Sequence, residues 1–209
     1  MNRRFVLRLA AVGAGLALQA AAPAFAEAGK IDVEAILNDP AAPVGGDPKG
    51  DVTIVAFLDY NCPFCKKATP ELEKLVRTDG HIRLVYKDWP ILSEASVYGA
   101  HLALAAKYQG EYERVHDALM AVPGRRNSEE AMLAAVKKSG ADMDRLNADL
   151  KTHEADISAL IKRNDEQARA LGLEGTPVFL IGPFKVAAAL DYDGFKKVVA
   201  QVRAAQKGQ

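Results

Sequence analysis

The chain has 209 residues, with 27 basic and 27 acidic side chains. That balance gives no reason to expect nucleic acid or an anionic membrane as a partner. Its two cysteines cannot complete a structural zinc site, which needs four ligands, and its four histidines (His81, His101, His116, His153) show no ligand spacing.

Residues 1–26 read as an export signal. Arg3, Arg4 and Arg8 make a basic start, Leu9 to Ala22 is apolar and Ala/Gly-rich, and Ala24-Phe25-Ala26 fits a cleavage site before Glu27. An uncleaved anchor is the alternative, opposed by low hydrophobicity and by Pro23. Arg3-Arg4 ahead of Phe5-Val6-Leu7 also suits a twin-arginine signal, which leaves the Sec and twin-arginine routes both open. Removal of the signal leaves 24 basic against 27 acidic side chains, a net charge near −3. Export places the cysteines in an oxidising compartment, the periplasm, where a disulfide persists.

Residues 27–50 hold a short helical pattern, Asp32 to Leu37, and then a Pro/Gly-rich run from Asn38 to Pro48. This predicts an arm lying over the surface, with little core of its own and too short for an oligomerisation stalk, hence a monomer. Val52 to Leu58 is β-branched and almost continuously apolar, the pattern of a strand buried on both faces. Ala68, Leu72, Leu75 and Val76 then recur at helical spacing, with Pro70 inside the helix. His81 to Lys87 reads as a second strand, and strand–helix–strand implies parallel pairing through a right-handed crossover. Helical patterns fill residues 94–108, 111–122, 128–139, 142–152 and 156–171, which predicts an all-helical insertion over 93–172 with Arg125-Arg126 at a solvated loop tip. Val178 to Ile181 and Phe184 to Ala187 flank a Gly182-Pro183 turn as an antiparallel pair. A closing helix follows, with Asp191 as its N-cap.

Both cysteines fall where the first strand turns into its helix, in Asp59-Tyr60-Asn61-Cys62-Pro63-Phe64-Cys65-Lys66-Lys67. Cys62 takes the N-cap position and Pro63 the first helical position, where a missing N–H costs nothing. Free backbone N–H groups then face the Cys62 sulfur and favour the thiolate. A helix terminus contributes about 0.3–2 kcal/mol to an anion, enough to lower a thiol pKa of about 8.5 by at most about 1.5. Direct N–H···S bonds and Lys66 would add to that. The pair therefore suits thiol–disulfide exchange better than a static bridge, since a two-residue spacing closes a tiny loop and stabilises little.

Phe57-Leu58-Asp59-Tyr60-Asn61-Cys62-Pro63-Phe64-Cys65, Tyr86-Lys87-Asp88-Trp89-Pro90-Ile91-Leu92 and Gly175-Thr176-Pro177-Val178-Phe179-Leu180 together resemble the DsbA family of exported thiol:disulfide oxidoreductases. The resemblance covers the chain from about Val44 to its end. It implies an α/β thioredoxin fold, a central mixed sheet flanked by helices, formed by residues 51–92 and 173–209 and interrupted by the helical insertion. Cys62 and Cys65 would be catalytic. Thr176 and Pro177 would bind substrate through a cis peptide bond facing the cysteines, with Thr176 pairing to an extended client segment. No cofactor or metal is needed. The partners would be cysteine-containing exported proteins and a membrane redox protein that resets the pair.

Two departures from the family pattern temper the expected strength as an oxidant. Phe64 stands where strong oxidants carry histidine, and Ala56 stands where thioredoxin-like proteins often bury a carboxylate. Asp59 reads equally as a solvated or helix-terminal charge and is left outside the site. Thr176, in place of an aliphatic residue, leans toward an isomerase or reductase. A soft-metal or client-binding module is the reading from a different class.

Overall fold

The computed structural model describes residues 31–208. The export signal expected over 1–26 lies outside them. A five-stranded sheet has the order β1 (Val44–Gly46), β3 (Ile82–Asp88), β2 (Val52–Leu58), β4 (Val178–Ile181) and β5 (Phe184–Val186). β2 and β3 run parallel, Val52 opposite Ile82 through Leu58 opposite Asp88, and every other pair is antiparallel. The crossover between β2 and β3 is α2 (Pro63–Asp79).

Both faces of β2 are buried, as its unbroken apolar run requires. Ile54, Ala56 and Leu58 join a core with Leu72 and Leu75 of α2 and with Phe195 and Val199 of α8 (Tyr192–Lys207). Val55 and Phe57 point the other way, into a second core with Trp89, Ile36 of α1 (Val33–Leu37) and Ala168 of α7 (Glu154–Ala170). The region between β3 and β4 is helical as expected: α3 (Glu94–Ala106), a 3-10 turn (Lys107–Gln109), α4 (Tyr112–Met120), α5 (Glu129–Lys138), α6 (Met143–Thr152) and α7. Ser93, Ser128, Asp142 and Asp191 each cap a helix through the side chain, the last as the sequence predicts. No helix among the described residues is long and apolar enough to cross a membrane.

The N-terminal arm differs from expectation. Val44–Gly46 is an edge strand on β3, and Ile36 and Ala42 are buried. Three residues with two glycines carry no alternating pattern, so backbone pairing alone makes this strand and leaves no side-chain signal. Gly46 is held at φ +68°, where an added Cβ would stand 2.3 Å from the Ile82 carbonyl oxygen and 2.6 Å from Val76 Cγ1. Gly80, the C-cap of α2, has a similar φ of +74° but open space around it. Gly80→Ala should therefore cost only the left-handed penalty of about 1–2 kcal/mol. Gly46→Ala should add an overpacking cost of about 1–3 kcal/mol. Equal midpoints for the two variants in urea would show that β1 is not seated as described.

Candidate active site

The turn between β2 and α2 is fixed by Asp59, which is fully buried. Its Oδ1 accepts from the Asn61 N–H (2.6 Å) and the Ser96 hydroxyl (2.7 Å), and its Oδ2 from the N–H groups of Ile91 (2.8 Å) and Leu92 (2.9 Å). Asp59 is thus neither a solvated charge nor a helix-terminal one. It joins the cysteine turn to the segment after β3 and to α3. The sequence missed this because an acceptor of distant backbone N–H groups has no local pattern.

Cys62 caps α2, with its Sγ accepting the Cys65 N–H at 3.1 Å and Pro63 following at the first helical position. The Thr176–Pro177 bond is cis, and the Cys62 thiol donates to the Thr176 carbonyl at 3.3 Å. That last contact favours the protonated form. Four donors oppose it: the Cys65 thiol above all, then a Thr176 contact, then the Cys65 and Phe64 N–H groups. Against burial, they hold the Cys62 thiol down at about 6. This lies below what a helix terminus alone would achieve, and the difference comes from direct hydrogen bonds to sulfur. The Thr176 hydroxyl is buried with no hydrogen-bond partner among the described residues, so it is available to the thiolate. Cys65 is fully buried, and that burial, together with the neighbouring Cys62 sulfur, pushes its thiol far up. The two sulfurs are therefore sharply unequal: one ionises readily, and the other keeps its proton.

Lys66 has a different task from the one expected of it. Its ammonium donates to the carbonyls of Val122 (2.6 Å) and Gly124 (3.1 Å), so its charge reaches Cys62 only through space. Asn61 holds the same loop from the other side, accepting the Asn127 N–H at 2.9 Å and donating to Ser93 Oγ at 2.7 Å. The α4–α5 loop is thereby drawn up to the cysteines. As a result Arg125 and Arg126, read from the sequence as a solvated tip, line an open cleft of about 1140 Å³ together with Cys62, Leu92 and Thr176. A second groove of about 460 Å³, lined by Leu173, Pro177, Val178 and Ala187 to Ala189, lies on the other side of Phe64. Phe64 borders both and is 60% exposed. The geometry brings Cys62, Cys65 and Thr176 together, sets Pro177 on the adjoining groove, and adds an apolar and a basic wall that no motif announced.

The sequence pattern of the thioredoxin family matches residues 38–201. A thioredoxin-like oxidoreductase from Silicibacter pomeroyi DSS-3 superposes with a TM-score of 0.76 at 40% identity, covering 83% of this chain and 98% of that one. The thiol-disulfide exchange protein alpha-DsbA2 of Wolbachia pipientis gives a TM-score of 0.75 at 32% identity, covering 81% and 91%. The thiol:disulfide interchange protein DsbA of Bordetella parapertussis is 27% identical over 168 residues, which is 77% of this chain and 79% of that protein. A Na(+)/H(+) antiporter NhaA 1 of Salinispora arenicola is 28% identical over 156 residues, and there the match spans only 23% of the relative's length.

Proposed function

Since this chain belongs to the thioredoxin family, among its DsbA-like thiol:disulfide oxidoreductases, we propose that it is an exported dithiol oxidase for cysteine-containing periplasmic proteins. The observation that carries this reading is the inequality of the sulfurs. Cys62 is a good leaving group that lines the larger cleft with 2% of its surface exposed, while Cys65 has none exposed and keeps its proton. In this reading residues 51–92 and 173–209 form the exchange unit, 93–172 the helical insertion, 27–50 the arm that supplies β1, and 1–26 the export signal.

The cycle starts from the Cys62–Cys65 disulfide. A client thiolate attacks Cys62 Sγ, the intramolecular S–S bond breaks, and Cys65 leaves and takes up a proton. The client's second thiolate then attacks its own sulfur in the mixed disulfide and expels Cys62 as a stabilised thiolate. Two electrons pass from the client dithiol to the protein, and of the two client protons one stays on Cys65 and one goes to solvent. A membrane redox protein accepts those electrons and restores the disulfide. The cis Thr176–Pro177 bond leaves the Thr176 backbone at the sulfur, suited to pair with an extended client segment, and Pro177 lines the groove beside it. The protein acts as a monomer and needs no cofactor.

Equilibration with glutathione buffers tests the direction of electron flow. A potential well above thioredoxin's value of about −270 mV is expected. A potential near that value would replace the oxidase by an isomerase or reductase, the reading to which a Thr176 hydroxyl free for a client also lends itself. Trp89 packs edge-on to Phe57 in the second core and donates to Asp165, away from the cysteines' face of the sheet. The redox state is accordingly read by thiol alkylation and mass, not by tryptophan fluorescence.

A further inference from the structure

A second cluster of reactive side chains joins α2 to α4 and takes no part in the exchange chemistry. One ring nitrogen of His116 and one carboxylate oxygen each of Glu73 and Asp117 lie within 4.8 Å of one another. His116 is fully buried, and its Nδ1 is taken by the Tyr60 hydroxyl at 2.9 Å. Its Nε2 is buried with no hydrogen-bond partner, and so is Oε1 of Glu73. Orphaned buried polar atoms are rare because each forfeits its hydration for nothing. A proton shared between Glu73 and Asp117 would satisfy the carboxylates but leave Nε2 bare. A cation satisfies all three.

The surroundings favour positive charge. Glu73 and Asp117 line an open recess of about 350 Å³ together with Glu113, Asp47, Tyr86 and Arg77. Glu113 accepts from the Tyr86 hydroxyl at 3.3 Å, and a Cβ at position 45 would stand 2.0 Å from its Oε1, so glycine there leaves the carboxylate its place. Arg77 is the one cation paired with these groups among the described residues, and it sits 3.9 Å from the other oxygen of Glu73 with its side chain largely exposed. An imidazole with carboxylates suits zinc better than magnesium or calcium, which prefer all-oxygen shells. We propose that Glu73, His116 and Asp117 bind a zinc(II) ion through Oε1, Nε2 and a carboxylate oxygen, with Glu113 or water in the fourth position.

Tetrahedral ligands at about 2.0–2.1 Å from zinc stand about 3.3 Å apart, so the carboxylate arms need to close by roughly 1.5 Å. Asp117 is exposed and free to rotate, and Glu73 is half-buried with its side chain 16% exposed, so most of the closing movement falls to Asp117. The Tyr60 contact to Nδ1 fixes the imidazole as an outer partner does in other zinc sites. Burial drives the His116 imidazole down to about 3, leaving its lone pair free at neutral pH. Burial and the adjacent Asp117 push Glu73 up to about 8, with Glu113 adding to the rise and Arg77 opposing it.

The test is competition for zinc against a chromophoric chelator, in the full chain carrying Cys62→Ser and Cys65→Ser so that thiolates cannot capture the metal. One zinc per chain is expected, with affinity reduced by Glu73→Gln and by Asp117→Asn by more than the roughly 10–100-fold that losing an outer partner alone produces. Cobalt in place of zinc should give visible tetrahedral bands that the same substitutions remove. Asp117 is exposed and Glu73 is half-buried, and unchanged melting of the metal-free variants separates lost binding from lost folding. No zinc bound, or binding indifferent to both substitutions, would overturn the proposal whatever the outcome of the redox measurement.

Discussion

Alkylation of the reduced protein by iodoacetamide should follow a single thiolate that forms with a midpoint near pH 6, with the second thiol silent throughout the neutral range. At pH 7 a thiol of pKa about 6 is about 90% ionised, against about 3% for one at about 8.5, roughly thirtyfold more thiolate. Nucleophilicity falls with basicity, with a Brønsted slope of about 0.4–0.5, and returns roughly tenfold of that gain. Attack by Cys62 is therefore only a few times faster than by an ordinary thiol, whereas its departure keeps the full benefit. This asymmetry is why the low pKa argues for an oxidase. Cys62→Ser should abolish exchange, and Cys65→Ser should leave a reactive Cys62 that accumulates in mixed disulfide with clients. The same shift sets a pH dependence of stability. The folded pKa of about 6 lies below the unfolded value of about 8.5, so the thiolate stabilises the reduced fold by about 3.4 kcal/mol above pH 8.5, by about 1.4 kcal/mol at pH 7, and by nothing once the pH falls well below 6. The disulfide form has no such group. The excess stability of reduced over oxidised protein should thus shrink on acidification from pH 8 to 5, and a gap that stays flat would refute the assigned Cys62 environment. At pH 7 this contribution raises the potential by about 30 mV.

What the sequence revealed and what it hid follow from the range of the interactions. Local rules carried the strand at 52–58, the Cys62 cap, Pro63 and the helices of the insertion, because periodicity and capping act within a few residues. The cis bond at Pro177 came from family resemblance, since nothing in a Thr-Pro pair dictates it locally. Groups whose roles depend on distant partners were invisible. Asp59 meets Ile91, Leu92 and Ser96. Lys66 and Asn61 bring in a loop some sixty residues away, and with it Arg125 and Arg126. Glu73 and His116 share no spacing that a motif search would register, being brought together by the packing of α2 on α4. The hint available was two polar residues, Asp59 and Asn61, in a segment otherwise bound for the core.

Asp39 should be the most sensitive position outside the cysteine turn. It comes from the Pro/Gly-rich arm, yet its side chain is 4% exposed and meets two cations, Lys87 of β3 at 3.1 Å and Arg163 of α7 at 2.9 Å. The contact joins the arm, the sheet and the helical insertion. Burial would raise its carboxyl, but Arg163, the Ala41 N–H and Lys87 together hold it down at about 2. Lys87 moves the other way: its ammonium is fully buried, and burial outweighs the attraction of Asp39, so its pKa falls. The two partners respond differently because Asp39 has two cations and Lys87 has only half an anion. Asp39→Ala leaves Lys87 buried without a counter-charge and should cost about 3–5 kcal/mol, the usual penalty for orphaning one member of a buried pair. Replacing both, Asp39→Ala with Lys87→Met, should recover most of that loss, because the stranded charge is what costs and not the missing attraction. In acid the sign is fixed by the depressed carboxyl. Its contribution is complete above the unfolded value of about 3.9, amounts to about 2.6 kcal/mol, and is lost as the pH falls through about 2. Urea unfolding of the single and double variants at neutral pH decides the matter. A single variant within about 1 kcal/mol of wild type, the range of an exposed ion pair, would mean that water reaches Lys87 and that the arm is not clamped to the fold.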